Sequence, residues 1–295
     1  DTEKISAMPM MPMLPAKEVR MVRPFLVKRF FSESPNAVAS DIDGTLLRNG
    51  ARSIAPVLFD QIRRLGERGI RFCPASGRQY SSLRRLFAPV AGELSYLCEN
   101  GAVVWGAGSP GAVLSKAVME RSRALALCGA ILAQPRCEVL ISGANTSYLC
   151  PKEPDIVDHM RYFVGNNVTM LNSPEEVPED MVKVSAYCRD GAAAMAPVLS
   201  PGWEDFHPAI AGEKWLDFTL ADKGIGLKSL CAALGVDLSE VMAFGDNDND
   251  LPMLSLVGRP YIMEQASPLL TERFSRRCAS VESVLEAFLT ELERE

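Results

Sequence analysis

The 295 residues predict an α/β protein: a parallel-sheet core interrupted by an inserted α+β domain. Three observations point there. Short apolar runs alternate with helical patterns over residues 37–101 and again over 223–250. Several of these runs end in polar or glycine-bearing segments, as strands of an open parallel sheet do at their carboxyl ends. Between the two stretches, residues 107–215 carry longer and less regular strand patterns. Chain length also favours two modules, because single hydrophobic cores stop growing near about 250–300 residues. The expected organisation is an extension over 1–34, a core over 35–106 and 216–295, and an insertion over 107–215.

Each element has a local reason. Residues 1–34 hold five of the thirteen methionines, four of them in a proline-containing stretch, which predicts a poorly ordered extension. Within it, Arg23, Lys28 and Arg29 lie among Phe25, Leu26, Val27, Phe30 and Phe31, a faint likeness to an organelle presequence or else a bland tail. Ala37, Val38 and Ala39 read as a buried strand running into Asp41-Ile42-Asp43-Gly44-Thr45-Leu46-Leu47. Val57, Leu58, Ile62 and Leu65 recur at helical spacing, and Gly66 and Gly69 are expected to stop that helix before the strand of Ile70, Phe72 and Cys73. Ala75-Ser76-Gly77-Arg78 follows, then a helix through Leu83 and Leu86, a strand at Tyr96-Leu97-Cys98, and Glu99-Asn100-Gly101.

In the insertion, strands are expected over 138–149, 182–188 and 215–218, and helices over 121–133, 154–164 and 192–199. A helix over 225–234 and the apolar strand Val241-Met242-Ala243-Phe244 then lead into Gly245-Asp246-Asn247-Asp248-Asn249-Asp250.

Composition narrows the function. Hydrophobic residues at 47% and charged residues at 23% suit an ordinary globular protein with a sizeable core. A formal charge of -6 argues against a nucleic-acid partner, whose phosphates call for a basic face. No apolar run reaches the roughly 20 residues of a membrane span, so no membrane partner and a cytoplasmic setting are expected. The eight cysteines form no CxxC pair and read as reduced core residues. Nothing in the sequence encodes an oligomeric state.

Asp41, Asp43, Ser76, Asp246 and Asp250 each follow an apolar run, so the fold class should gather them at one end of the sheet. Clustered carboxylates resist joint ionisation, and a divalent cation is the simplest way to hold them charged. Oxygen-only donors point to magnesium. Rival readings exist: Asp-Gly and Gly-Asp are common turn pairs, Ser76 suits a helix cap, and the 246–250 acids resemble a calcium loop that lacks the spaced glycine and terminal glutamate of an EF-hand. Glu99-Asn100-Gly101 also suits a plain turn, and His159 and His207 fall in the insertion, where a structural role is expected.

DIDGTLL, ASGR, a downstream lysine and GDNDND, in that order, resemble the four motifs of haloacid dehalogenase-like phosphatases over about residues 37–287. The insertion is similar to the α/β cap of the Cof-like branch, on a Rossmann-like core. The resemblance implies that Asp41 is a nucleophile that becomes an aspartyl phosphate and that Asp43 is the general acid and base. It implies magnesium held by Asp41, the Asp43 carbonyl and Asp246, with Asn249 or Asp250 nearby. Ser76 and amides around Gly44 and Gly77 would bind phosphoryl oxygens, and Lys223 would supply positive charge. Among Lys214, Lys223 and Lys228, Lys223 is preferred because it precedes Gly224 at an expected helix start. Many relatives carry Gly-Asn-Ala after the fourth motif, where this chain has Met263-Glu264-Gln265-Ala266, which leaves the contact of that asparagine open. The implied substrate is a small phosphorylated metabolite, a sugar phosphate or similar. A phosphomutase would share the same intermediate, and a phospholigand-binding protein would have no need of the nucleophile.

Overall fold

The computed structural model describes residues 35–294; the expected extension over 1–34 lies outside the described residues. From the start of this range the chain enters β1 (Ala37–Ser40), buried at every residue. Helix α1 (Pro56–Glu67) opens on Pro56, whose fixed φ and missing N–H suit a first turn, and buries Leu58, Ile62 and Leu65 on one face. Gly66 does not stop this helix but sits inside its last turn; the reversal comes at Gly69, in the left-handed region at φ 76°. β2 (Arg71–Pro74), α2 (Tyr80–Leu86) and β3 (Tyr96–Cys98) follow as the periodicity predicts.

After β3, Glu99, Asn100 and Gly101 stand at φ 51°, 56° and 89°. A left-handed residue costs roughly 1–2 kcal/mol for most side chains, asparagine being a tolerated exception, so Glu99 above all needs outside support. Glycine is required at the third, because a Cβ on Gly101 would strike the Asp222 carbonyl. A hairpin of β4 (Val103–Gly108) and β5 (Gly111–Lys116) then pairs antiparallel with β3. The expected boundary at 107 falls inside β4.

The insertion begins with α3 (Arg121–Leu132), capped by the Glu120 carboxylate, which accepts from the amides of Ser122 and Arg123. The single strand expected over 138–149 is a hairpin of β6 (Cys137–Ser142) and β7 (Ser147–Leu149), closed by Gly143 N donating to Thr146 O at 2.9 Å. The polar segment at 143–146 breaks the apolar run there. A short helix α4 (Asp155–Asp158) widens into a π-helical turn over His159–Val164 and ends at the left-handed Gly165. β8 (Val168–Met170), β9 (Lys183–Cys188), α5 (Ala192–Leu199), β10 (Ala209–Ile210) and β11 (Trp215–Thr219) complete it. The sheet order is β10-β11-β9-β6-β7-β8. β11 belongs to this sheet, so the expected return to the core at 216 falls within a cap strand. One face of the sheet packs Val139, Ile141, Val184, Ala186, Leu216 and Phe218 against α3 and α5. By the two-residue alternation, Lys183, Ser185, Asp217 and Thr219 share the opposite face.

The chain returns through α6 (Lys223–Leu234), β12 (Val241–Gly245), α7 (Leu251–Leu254), β13 (Arg259–Met263), α8 (Pro268–Arg273), β14 (Arg277–Cys278) and α9 (Val281–Leu292). The core sheet runs β14-β13-β12-β1-β2, all parallel, with a bridge between Ala75 and Leu97 adding β3 at the β2 edge. Alternation along β1 divides the core into two layers. Val38 joins Leu58 and Ile62 of α1 and Leu285 and Leu289 of α9, while Ala37 and Ala39 join Leu227 and Leu230 of α6 and Met253 of α7. All eight cysteines are free thiols, seven of them buried. No helix among the described residues is long and apolar enough to cross a membrane.

Two helical glycines give opposite expectations. Gly226 in α6 lies against Gly101, and a Cβ on it would sit 2.6 Å from the Gly101 Cα, a backbone atom that cannot swing aside. Gly129 in α3 is exposed with nothing within 4 Å of an added Cβ. Gly129→Ala should therefore stabilise by about 0.5–1 kcal/mol through helix propensity. Gly226→Ala should destabilise by about 1–3 kcal/mol despite the same propensity gain, because overpacking prevails. Denaturant melts of the two variants check the pair, and equal signs would contradict the packing argument.

Candidate active site

At the carboxyl end of the core sheet, residues from three segments meet around one lysine. Asp41 follows β1 and is pinned by its N–H donating to Phe244 O at 3.0 Å. Lys223 opens α6, whose start is set by the Asp222 side chain accepting from Ile225 N at 2.8 Å. Its Nζ donates to Asp41 Oδ1 at 2.5 Å and to Asp250 Oδ1 at 2.6 Å, with only 1% of the residue exposed. The other oxygen of Asp250 accepts from the amides of Asp246 and Asn247 at 2.9 and 3.1 Å, folding the loop after β12 back on itself. Thr45 Oγ1 donates to Asp246 Oδ1 at 2.9 Å, joining the first and last motifs. Gly44, at φ 98°, lies directly against the Asp246 carboxylate, where any Cβ would collide.

The electrostatics follow from burial. Burial pushes the Asp41 carboxyl well up, against the pull of Lys223 and with the help of Asp250 and Asp246. Burial also raises Asp246, offset in part by the Thr45 hydroxyl. For Lys223 burial alone would favour the neutral amine, but Asp250 and Asp41 override it and the ammonium is held charged. One ammonium facing three carboxylates leaves excess negative charge, and oxygens of Asp41, Asp246 and Asp250 lie within 4.8 Å of one another. Asp41 Oδ2 is buried with no hydrogen-bond partner. An all-oxygen donor set with an orphaned carboxylate oxygen fits a small hard cation such as magnesium.

Asp43 stands apart from this cluster. Its side chain is 57% exposed, and Arg78 grips it from the next loop, Nε to Oδ2 at 2.8 Å and Nη2 to Oδ1 at 2.5 Å. Ser76 is buried, its Oγ accepting from Arg78 N at 3.2 Å. Asn249 is exposed and donates to Asn100 Oδ1 at 3.3 Å, and the Asn100 amide lies against Gly77. Gln265 Nε2 donates to Gly44 O at 3.1 Å, so this amide reaches the first-motif loop. Lys228 is exposed, and Lys214 lies in the insertion 5.7 Å from the Tyr187 ring. His159 lies 6.1 Å from the Tyr187 ring, and His207 is exposed.

The structure thus brings Asp41, Lys223, Asp246 and Asp250 together and places Asp43, Gly44, Ser76, Gly77 and Asn249 on the surrounding loops. Side chains given no role by the motifs also bind these groups: Thr45 to Asp246, Arg78 to Asp43 and Gln265 to the Gly44 carbonyl. Arg78 was visible as the last letter of ASGR but had no assigned partner.

The insertion meets this site at two places. Lys183 of β9 is buried and pairs with Glu99 at 2.5 Å and with Asp217 at 3.5 Å, while Ser185 Oγ donates to Asp217 Oδ1 at 2.6 Å. At the start of α2, Gln79 Oε1 accepts from Asn167 N at 2.7 Å, and Ser81 N donates to Asn145 Oδ1 at 2.9 Å.

Comparison with known proteins agrees with this arrangement. A family model described as haloacid dehalogenase-like hydrolase matches residues 38–284. A 5-amino-6-(5-phospho-D-ribitylamino)uracil phosphatase of Escherichia coli (strain K12) is 26% identical over 253 residues, covering 82% of this chain and 90% of the relative. An HMP-PP phosphatase of Enterobacter sp. (strain 638) is 27% identical over 248 residues, covering 80% and 87%. A crystal structure from Eubacterium rectale superposes with a TM-score of 0.78 at 28% identity, covering 87% of this chain and all of the other. The match spans Asp41, Ser76, Lys223 and Asp246, and the protein belongs to the haloacid dehalogenase-like hydrolases.

Proposed function

We propose that this chain is a magnesium-dependent phosphatase of a small phosphorylated metabolite, a sugar phosphate or similar, acting through an aspartyl phosphate on Asp41. The observation that carries the reading is Asp41 itself: one oxygen on a buried ammonium, the other buried and unpartnered beside two further carboxylates. The relatives support the substrate class, since one acts on a ribityl phosphate joined to uracil.

In this reading an Asp41 carboxylate oxygen attacks phosphorus as the ester P–O bond breaks, and Asp43 gives the leaving oxygen its proton. A water then attacks the aspartyl phosphate, losing its proton to Asp43 as the Asp41–phosphorus bond breaks and inorganic phosphate leaves. Magnesium, held by Asp41, the Asp43 carbonyl and Asp246 with Asp250 or Asn249 close by, supplies charge neutralisation between the nucleophile and the phosphate. Lys223 fixes Asp41 and adds a permanent positive charge. Ser76 and the amides beside Gly44 and Gly77 face the phosphoryl oxygens. Arg78 orients Asp43 by donating to both of its carboxylate oxygens.

Three outcomes test the assignments on 4-nitrophenyl phosphate. Turnover should require magnesium and be lost in Asp41→Asn; undiminished turnover in that variant would take the nucleophile role from Asp41. Lys223→Ala should lower kcat by about 10²-fold to 10³-fold, while Lys214→Ala and Lys228→Ala cost less than about tenfold, measured on samples shown folded by circular dichroism. Arg78→Gln should lower kcat by about tenfold to a hundredfold with little change in KM, toward the lower end of what general acid and base groups contribute. Parent-like rates there would mean that the Arg78–Asp43 pair has no part in the cycle.

A further inference from the structure

The turn of Glu99, Asn100 and Gly101 touches every catalytic segment except the first. Glu99 N donates to Arg78 O at 3.1 Å and Asn100 N to Ser76 O at 2.9 Å, so two consecutive amides hold the carbonyls of the phosphate loop. The Asn100 side chain lies against Gly77 and accepts from Asn249 after β12. Gly101 packs on the Asp222 carbonyl, one residue before Lys223. Both amide hydrogen bonds depend on Glu99 and Asn100 remaining in a left-handed conformation, which asparagine tolerates and glutamate does not favour.

What holds the turn comes from the insertion. The Glu99 side chain is 2% exposed and its carboxylate pairs with Lys183 Nζ, whose own side chain is 8% exposed. Burial alone would discharge that lysine, yet Asp217 and Glu99 keep it an ammonium. Asp217 is fixed in turn by Ser185. The lysine is thus a fixed post at the start of β9, and its reach to Glu99 crosses from the cap sheet to the catalytic loops.

We propose that Glu99 is a positioning residue: through its buried ion pair with Lys183 it locks the 99–101 turn, and the turn sets the phosphate loop at Ser76 and Arg78 against the metal-site loop at Asn249. The inference rests on the phosphatase reading for its kinetic consequence but not for its structural one. Loss of the pair should loosen the turn, displace Ser76 and Arg78 by a fraction of an ångström, and slow chemistry more than binding.

The test sets two full-chain variants that lose Glu99, Glu99→Gln and the double Glu99→Gln/Lys183→Met, beside the single Lys183→Met; the double keeps volume and leaves no buried ammonium, with Asp217 still bonded to Ser185. In magnesium with 4-nitrophenyl phosphate, both should show kcat lowered by about tenfold to a hundredfold with KM within about threefold, the scale expected of a small misplacement. The double should be no slower than Glu99→Gln, since the Glu99–Lys183 pair is already lost in that single and the Lys183–Asp217 pair lost besides in the double lies within the insertion. Hydrogen exchange should quicken at the amides of residues 99 and 100 and stay unchanged in β12, and in β9 for Glu99→Gln. If Glu99→Gln does not fold, the double alone decides. Parent-like kcat together with parent-like exchange in a folded variant would overturn the proposal, as would a double whose loss equals the product of separate losses from Glu99→Gln and Lys183→Met. If the parent itself fails to turn over the aryl phosphate, the phosphatase reading fails, and the exchange comparison still decides whether Glu99 locks the turn.

Discussion

The arrangement depends on one buried ammonium. Lys223 is closed off from water between Asp41, 182 residues earlier, and Asp250, 27 residues later. A lysine so placed would lose its proton unless carboxylates faced it, and carboxylates so placed would gain protons unless a cation faced them. Neither partner is stable there alone: breaking a buried ion pair costs about 3–5 kcal/mol, much of it from the charge left behind. The ends of β1 and β12 and the start of α6 must therefore arrive together. Charge is still not balanced once they have, since Asp246 adds a third carboxylate. The same contacts that organise the site create its demand for a further cation.

Close packing carries this organisation outward. The loop after β12 comes near enough to β1 only because Gly44 presents no side chain to Asp246, and it turns tightly enough only because Gly245 presents none to Asp250, whose Cβ would lie 2.6 Å from an added one. Gln265, from the loop after β13, holds the Gly44 carbonyl from the other side. The first and fourth motifs thus act as one body, stapled by Thr45 to Asp246. Asp43 lies just beyond that body, more exposed and on a different tether. Under the proposed assignments, this separation suits an Asp43 that exchanges protons with solvent and leaving group beside a nucleophile held in place.

How much of this was legible in the sequence depends on how local the cause is. The strands ending at Asp41, Ser76 and Asp246 were readable because an apolar run meeting a polar residue is a property of a few adjacent positions. Lys223 was readable over Lys214 and Lys228 because a helix start is also local, and the structure gives Lys214 an aromatic neighbour in the insertion and Lys228 solvent. The hairpin of β6 and β7 was read as one strand, because the short polar break at 143–146 is weak against the apolar residues on either side. Gly66 was read as a stop because a glycine late in a helix and one just beyond it look alike in sequence. The Arg78–Asp43 and Lys183–Glu99 pairs were not legible at all: each joins residues 35 or more positions apart, on loops whose approach is set by sheet order and cap placement.

The contacts between core and insertion fall into two kinds that differ in what they cost to break. Around α2, the bonds of Gln79, Ser81 and Ser82 to Asn167, Asn145 and Val164 are mostly neutral hydrogen bonds at part-buried positions. Each is worth about 0.5–1.5 kcal/mol net, because water can take the place of either partner. The Lys183–Glu99 pair is of the other kind. It is buried, charged and backed by Asp217, and water cannot reach it without opening the base of β9. The side of the cap anchored at Glu99 is therefore the side on which geometry is kept, and Glu99 is also where the cap touches the turn that holds the phosphate loop. Under the proposed positioning role, the buried charged tie between insertion and core and the support of the Ser76 and Arg78 carbonyls meet at one residue.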